Sequence, residues 1–378
     1  MTLNKEQIKR LFIGFDKPLA LVIFLLMCVG LIALYSAAIN MPGRVEDQIR
    51  NIVLTFILMW AVATLSTQTL MKFAVPLYTI GVGLLIAVAV FGLTKKGAKR
   101  WINLGIVIQP SEIMKISMPL MLAWYFQKRE GNIQWFDYVV ALLLLVLPVG
   151  LIAKQPDLGT GLLVAAAGLY VIYLAGLSWK LIFPVLIAGL LCIGTILAFE
   201  DKICQQDIKW HILHDYQKHR VCTLLNPTSD PLGKGFHTIQ SVIAIGSGGL
   251  VGKGWLKGTQ SHLEFIPEKH TDFIFAVFAE EFGLLGECAL LVLFLLLIAR
   301  GLVISASGAT LFARLLSGAI TMVFFTYVFV NMGMVSGILP VVGVPLPFMS
   351  YGGTALVTLG LGCGILMMVA REKRLMQS

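Results

Sequence analysis

From position 272 to position 300 the chain reads DFIFAVFAEEFGLLGECALLVLFLLLIAR. As one helix, these 29 residues would run about 44 Å at about 1.5 Å per residue. A bilayer's hydrocarbon core is only about 30 Å thick. The stretch is therefore a membrane span with a surplus. Either the helix projects outward by several turns, or it breaks near Gly283 and Gly286. Both readings leave Asp272 at or above the outer membrane surface, at a helix start.

Working outward, similar apolar runs lie at about 18–38, 51–67, 70–93, 111–127, 137–153, 158–176, 179–199, 309–335 and 353–370. None alternates as barrel strands do. Within lipid the backbone must satisfy its own hydrogen bonds, so helices are expected. The fold class is an all-α polytopic integral membrane protein. It has about ten transmembrane helices and a long extracytoplasmic loop, 200–271, between the seventh and eighth. Residues 1–378 form one membrane domain, and 1–17 read as a short cytoplasmic tail rather than a cleavable signal.

Composition agrees. Hydrophobic residues make up 58% and charged residues 13% of the 378, against about 25% charged in a soluble domain, which excludes an ordinary soluble enzyme and a disordered chain. The formal charge of +9 has no soluble basic domain to sit in, so nucleic acid is a poor partner. Anionic headgroups or an anionic lipid-linked substrate fit better. With both termini on one side, thirteen Lys and Arg fall on that side and seven in the short opposite loops. The positive-inside rule then favours cytoplasmic termini. The loop 200–271 carries eight more basic residues. Cysteines are scattered without a Cys-x-x-Cys pair, against a zinc or redox site. Cys204 and Cys222 share the long loop, where they could be oxidised if it faces outward; spacing alone leaves that open.

Several local patterns admit two readings. The stretch GSGGLVGKG at 246–254 fails the phosphate-loop spacing, which needs Gly where Ser247 stands and Ser or Thr where Gly254 stands. It is either a set of tight surface turns or a backbone surface that an anionic headgroup approaches closely. In EKHTD at 268–272, Thr271 can cap a helix with Asp272 in its first turn. Alternatively, Asp272 is a carboxylate base able to take a proton from a sugar hydroxyl. Glu112 and Lys115 lie three apart on a predicted helix and can pair, whether as a structural ion pair or as part of a site. Lys154 and Asp157, flanking Pro156, pose the same question. At least one of Glu280 and Glu281 must face a polar interior or the outer interface. Finally, three prolines and five glycines interrupt 333–353, as a tight connection or as a re-entrant segment lining a cavity.

Taken in order, six stretches carry a resemblance. They are GAKRWINLG at 97–105, QPSEIMK at 109–115, KQPDLGTG at 154–161, DPLGKGFHTIQSVIAIGSGGLVGKG at 230–254, PEKHTDFIFAVFAEEFG at 267–283 and PVVGVPLPFMSYGG at 340–353. The chain resembles, over nearly its whole length, the SEDS family (shape, elongation, division and sporulation) of bacterial peptidoglycan glycosyltransferases. The stretch 254–277 is similar to the elongation branch. The division branch tends to carry Leu-Pro-Glu-Ala before His-Thr-Asp, and a threonine where Val344 and Pro345 stand here.

The resemblance implies polymerisation of lipid II into glycan strands in the bacterial cytoplasmic (inner) membrane. The family's essential aspartate falls on Asp272, its outer-loop tryptophan on Trp101, and its buried Glu–Lys pair on Glu112 and Lys115. A leaving pyrophosphate needs cations or a divalent metal such as Mg or Mn. Candidates are Lys95, Lys96, Lys99, Arg100, Lys115, Arg220 and Lys253, with His270 beside Asp272. Implied partners are the growing strand, a class B penicillin-binding transpeptidase, other elongation-machinery membrane proteins and membrane lipid. A lipid II flippase without chemistry is the competing reading.

Overall fold

The computed structural model describes residues 16–95, 98–103, 107–155, 157–198, 204, 222–223, 234–262 and 268–377. Each of the ten apolar runs is a helix: α1 (Lys17–Ala37), α2 (Arg44–Ala63), α3 (Thr67–Phe91), α4 (Pro110–Lys128), α5 (Trp135–Lys154), α6 (Leu158–Leu174), α7 (Trp179–Ala198), α10 (Ile274–Ala306), α11 (Leu311–Val335) and α12 (Gly353–Gln377). Two more lie in the long loop, α8 (Lys234–Gly248) and the short α9 (Thr259–His262). By length and composition, α1, α3, α5, α10, α11 and the Gly353–Glu372 part of α12 are able to cross a membrane.

Helix starts follow from their caps. The Asp16 carboxylate accepts from Leu19 N at 3.1 Å, and Asp157 from Thr160 N at 3.3 Å. Ser66 and Thr310 do the same for α3 and α11. The bundle centres on α4 and α11, whose faces are largely buried. α4 packs on α3, α6 and α11, α2 lies along α12, and α10 packs on α1, α8 and α11. Asp16 also pairs with Arg300 through two hydrogen bonds, 2.9 and 2.5 Å, tying the start of α1 to α10.

Four features depart from, or decide between, the expectations. First, residues 93–108 hold a small antiparallel sheet, β1 (Leu93–Lys95), β2 (Ala98–Asn103) and β3 (Val107–Ile108), in that order. Second, the surplus length of α10 is resolved by a break at Gly283, with φ 63° and ψ −168°. Third, the glycine stretch divides: 246–248 end α8, and 249–254 form tight turns with Gly249, Gly252 and Gly254 at positive φ. The turn that follows is spliced into the α10 break: Lys253 N and Gly254 N donate to the Glu280 and Glu281 carbonyls, and Leu284 N and Leu285 N donate to those of Gly249 and Leu250. These bonds replace part of the helical ladder that the break removes. Fourth, Cys204 and Cys222 are joined as a disulfide, with Cα atoms 5.6 Å apart.

Both glutamates of α10 are buried. Glu280 Oε1 accepts from Lys253 Nζ at 2.7 Å, Thr259 N at 2.7 Å and Gln260 N at 3.0 Å. Glu281 accepts from the Ser36 hydroxyl of α1. Burial of a carboxylate is tolerated when donors replace its water, so both face a polar interior, one of the two settings the sequence left open. The tail 1–15, and most of 199–233, lie outside the described residues.

Candidate functional site

The turn Glu268–Phe273 leads into α10. Thr271 N donates to Glu268 O at 3.0 Å, and the Thr271 hydroxyl bonds to Glu268 O and Oε2 at 3.2 and 3.1 Å. Thr271 therefore closes this turn and is not the helix cap. α10 begins at Ile274, with Phe273 at the cap position and no side-chain cap. Asp272 precedes the helix instead of standing in its first turn.

What holds this turn is the connection between α11 and α12. Buried Asn331 donates from Nδ2 to Asp272 O at 2.8 Å and to Val344 O at 2.7 Å. Ser350 Oγ donates to Thr271 O at 2.7 Å and accepts from Leu346 N at 2.8 Å. Tyr351 N donates to His270 O at 2.9 Å, and Gln48 of α2 reaches Ser350 O. The irregular backbone of 337–352 is thus bonded to the turn that presents Asp272. Small residues admit it: a Cβ on Gly30 would come 2.6 Å from Phe348 O, and one on Gly159 2.7 Å from Val342 O. Gly343, at φ +77°, lies against the acid itself, since its Cβ would sit 3.4 Å from Asp272 Oδ2.

A cavity of about 440 Å³ opens over this turn. Its walls include Arg100 of β2, Glu268, Asp272, Ser350, Tyr351 and Leu356. Arg100 comes from the sheet and is aimed by the α5–α6 connection: its Nη1 is 3.8 Å from Asp157 Oδ1, and Gln109 holds Asp157 Oδ2 at 2.8 Å. This gives the KQPD stretch a concrete role. Sequence reading missed Arg44 and Tyr351. The Arg44 guanidinium lies 4.7 Å from the Tyr351 ring centre, and His270 flanks the same ring at 5.9 Å. The signal was the aromatic inside SYGG at 350–353, which periodicity does not weigh.

Other candidates lie elsewhere. Glu112 and Lys115 pair at 2.6 Å within α4, with Lys115 over the Tyr327 ring at 5.4 Å. Glu112 lines a separate, mostly apolar groove of about 510 Å³ between α2, α3, α4 and α12, and Lys115 borders neither space. Lys253 is engaged with Glu280 and Thr259. Trp101 is half-buried on β2, where it pairs in register with Leu93. Lys95 and Lys99 stand on β1 and β2. Lys96 and Arg220 lie outside the described residues. Among the described residues no group of three or more His, Cys, Asp or Glu forms a metal cluster.

The architecture and this cavity define a class: a multi-pass helical membrane protein that gathers a carboxylate and a guanidinium at the end of its bundle. The chain belongs to the FtsW/RodA/SpoVE family of cell cycle proteins, whose pattern it matches over residues 17–375. It is 47% identical over 364 residues to the peptidoglycan glycosyltransferase MrdB of Escherichia coli K12, covering 96% of this chain and 95% of that one. To MrdB of Helicobacter pylori J99 it is 34% identical, covering 93% and 88%. The probable peptidoglycan glycosyltransferase FtsW of Geobacter metallireducens is 31% identical, covering 98% of each. Among solved structures, a chain described under polymerization and crosslinking by a peptidoglycan synthase complex superposes with a TM-score of 0.78 at 33% identity, covering 95% of this chain and 98% of that one. The rod shape determining protein RodA of Thermus thermophilus gives 0.68 at 28%, covering 95% and 97%.

Proposed function

We infer that this chain polymerises lipid II at the Asp272–Arg100 cavity. The activity class, peptidoglycan glycosyl transfer in cell elongation, follows from near full-length likeness to MrdB. The greater identity to MrdB than to FtsW supports the elongation branch over the division branch. The observation that carries the residue assignment is that Arg100 and Asp272, 172 positions apart in the sequence, line one cavity.

In this reading, Asp272 accepts the proton of the acceptor GlcNAc 4-hydroxyl as its oxygen attacks C1 of the donor MurNAc. The C1–oxygen bond to undecaprenyl pyrophosphate breaks, and the bonding pair leaves with the pyrophosphate. Arg100 is fixed by Asp157 before the reaction and meets the charge that develops on the leaving group. Arg44, against the Tyr351 ring, adds positive potential beside the cavity; the sequence candidates Lys95, Lys96, Lys99 and Arg220 are further cations for the anionic substrate, and Trp101, Tyr351 and His270 offer ring faces to sugar. A divalent Mg or Mn ion would be held through Glu268 and the substrate's own phosphates, leaving Asp272 as the base, and would neutralise the leaving pyrophosphate. Glu112 and Lys115 hold α4 beside the apolar groove, which suits an undecaprenyl tail.

The ten helices span the cytoplasmic membrane of a bacterium, both termini inside, with the loop of 200–271 outward, as the positive-inside count supports. A class B penicillin-binding transpeptidase is the expected partner, in keeping with the crosslinking synthase complex among the structural neighbours. Other elongation-machinery membrane proteins join it. A flippase would need its ionisable groups along a mid-membrane path. The experiment compares purified wild type and Asp272→Ala for strand synthesis from lipid II, and both for lipid II transport across vesicles. Loss of strands in Asp272→Ala supports the reading; undiminished strands would overturn it, and transport by a wild type that makes no strands would favour the flippase.

A further inference from the structure

The turn after α8 has no part in the chemistry above, yet it carries two of the most exposed aliphatic side chains among the described residues. Leu250 and Val251 are 70% and 74% exposed. The Leu250 carbonyl accepts from Leu285 N at 3.1 Å, and Leu284 and Leu285 are themselves exposed. Four large aliphatic side chains therefore form one uncovered patch.

Two rulers give its height. The Asp16–Arg300 pair marks one polar edge of the bundle. Leu285 lies fifteen residues up α10 from Arg300, or about 22 Å. Ile32, whose carbonyl accepts from Trp255 Nε1 at 3.2 Å, lies sixteen residues up α1 from Asp16, or about 24 Å. Both heights fall inside a hydrocarbon layer of about 30 Å. Irregular backbone is tolerated at that depth where protein satisfies it, and here Gly249 O, Leu250 O, Lys253 N and Gly254 N all bond to α10. Beside the tip, Trp255 sits 5.8 Å from the Tyr35 ring, and Lys257 is exposed. Tryptophan and lysine are residue types of the membrane interface.

We propose that Gly249–Lys257 is a wedge inserted in the leaflet nearest Asp272. Leu250 and Val251 enter the acyl region, Trp255 lies at its outer margin at the height of Ile32, and the Lys257 side chain reaches the headgroups. The occupant of the patch is the acyl chain of bulk phospholipid, because the patch continues into the exposed apolar strip of α10 at Leu291, Val292 and Leu295. The wedge grips the broken outer segment of α10, which Asp272 immediately precedes, and so sets the height of that acid above the leaflet. This holds whether or not Asp272 is the base.

The test uses the full chain alone, without a transpeptidase, in vesicles of phosphatidylethanolamine and phosphatidylglycerol. Single reporters Leu250→Cys, Val251→Cys, Leu285→Cys and Lys257→Cys are placed in a Cys28→Ser, Cys288→Ser, Cys363→Ala background that keeps the Cys204–Cys222 disulfide. Each is labelled with a membrane-impermeant maleimide. Positions 250, 251 and 285 are expected to react about tenfold or more slowly than 257, because an apolar setting suppresses the reactive thiolate. The difference should vanish in dodecyl sulfate. Reaction at 250 and 251 as fast as at 257, with 285 still slow, would overturn the wedge. Protection that arises only when a transpeptidase is added would also overturn it, in favour of a protein partner.

Discussion

Two glycine-rich segments, 246–254 and 333–353, look alike in the sequence and do different work. Each interrupts helical backbone, and each bonds its loose polar groups to the neighbourhood of α10. The first is spliced into the break at Gly283 and carries no wall of the cavity. The second bonds to the turn of Asp272 and supplies much of the cavity's lining. The difference lies in where the backbone donors and acceptors go, not in the number of glycines. A glycine matters where another backbone crowds its missing Cβ, and is idle where nothing does.

That contrast can be broken by substitution. The largest effect is expected at the splice. A Cβ on Gly252 would meet Glu281 O at 2.1 Å, and one on Gly283 would meet Gly252 N at 2.3 Å, both at positive φ. Gly252→Ala and Gly283→Ala should each cost about 3 kcal/mol or more through strain and overpacking, read as lost folded yield and a lower Tm in detergent. Next is Asn331→Ala, which leaves two carbonyls without their donor and should cost about 1–3 kcal/mol per buried group. Its Tm should fall, and strand synthesis should fall further than stability explains, because Asp272 is displaced. Gly343→Ala is milder, at about 1–2 kcal/mol for a left-handed alanine. Its signature should be lost activity with little change in Tm, since its Cβ points at Asp272 Oδ2. The smallest effect belongs to Gly246, which has open space around it inside α8. Gly246→Ala should be neutral or stabilise by about 0.5–1 kcal/mol. If Gly246→Ala and Gly252→Ala behave alike, the distinction between a crowded glycine and an idle one fails; if Gly252→Ala and Gly343→Ala share one signature, the distinction between the segments fails.

Much of the fold was legible because apolar length is a local property. Ten runs became ten helices, and the surplus of 272–300 announced a break that Gly283 supplies. The sheet at 93–108 was not legible, since its strands are short and its cations suggested only a loop. Helix α8 was hidden because glycines at 246 and 248 lower helix propensity, and packing on α10 overrides that. Thr271 misled for a related reason: a threonine before an acid fits a cap locally, but the backbone turns at Glu268 first. In the site, Asp272 and Arg100 were legible as residue types on the same predicted side. Their meeting in one cavity, with Asp157 aiming Arg100 and Asn331 holding the acid's carbonyl, depends on pairings across the chain that no local pattern contains. Lys253 shows the converse: a cation on the expected side is taken up by Glu280, 27 positions away.

The central claim is that Asp272 removes a proton in the Arg100 cavity. The direct test is the initial rate of glycan strand formation from lipid II by purified wild type and the isosteric Asp272→Asn, with Tm measured on both. The rate should fall about 10²–10⁴-fold, the span that general base catalysis supplies, while Tm stays at the wild-type value. Strand formation at the wild-type rate by Asp272→Asn would contradict the account.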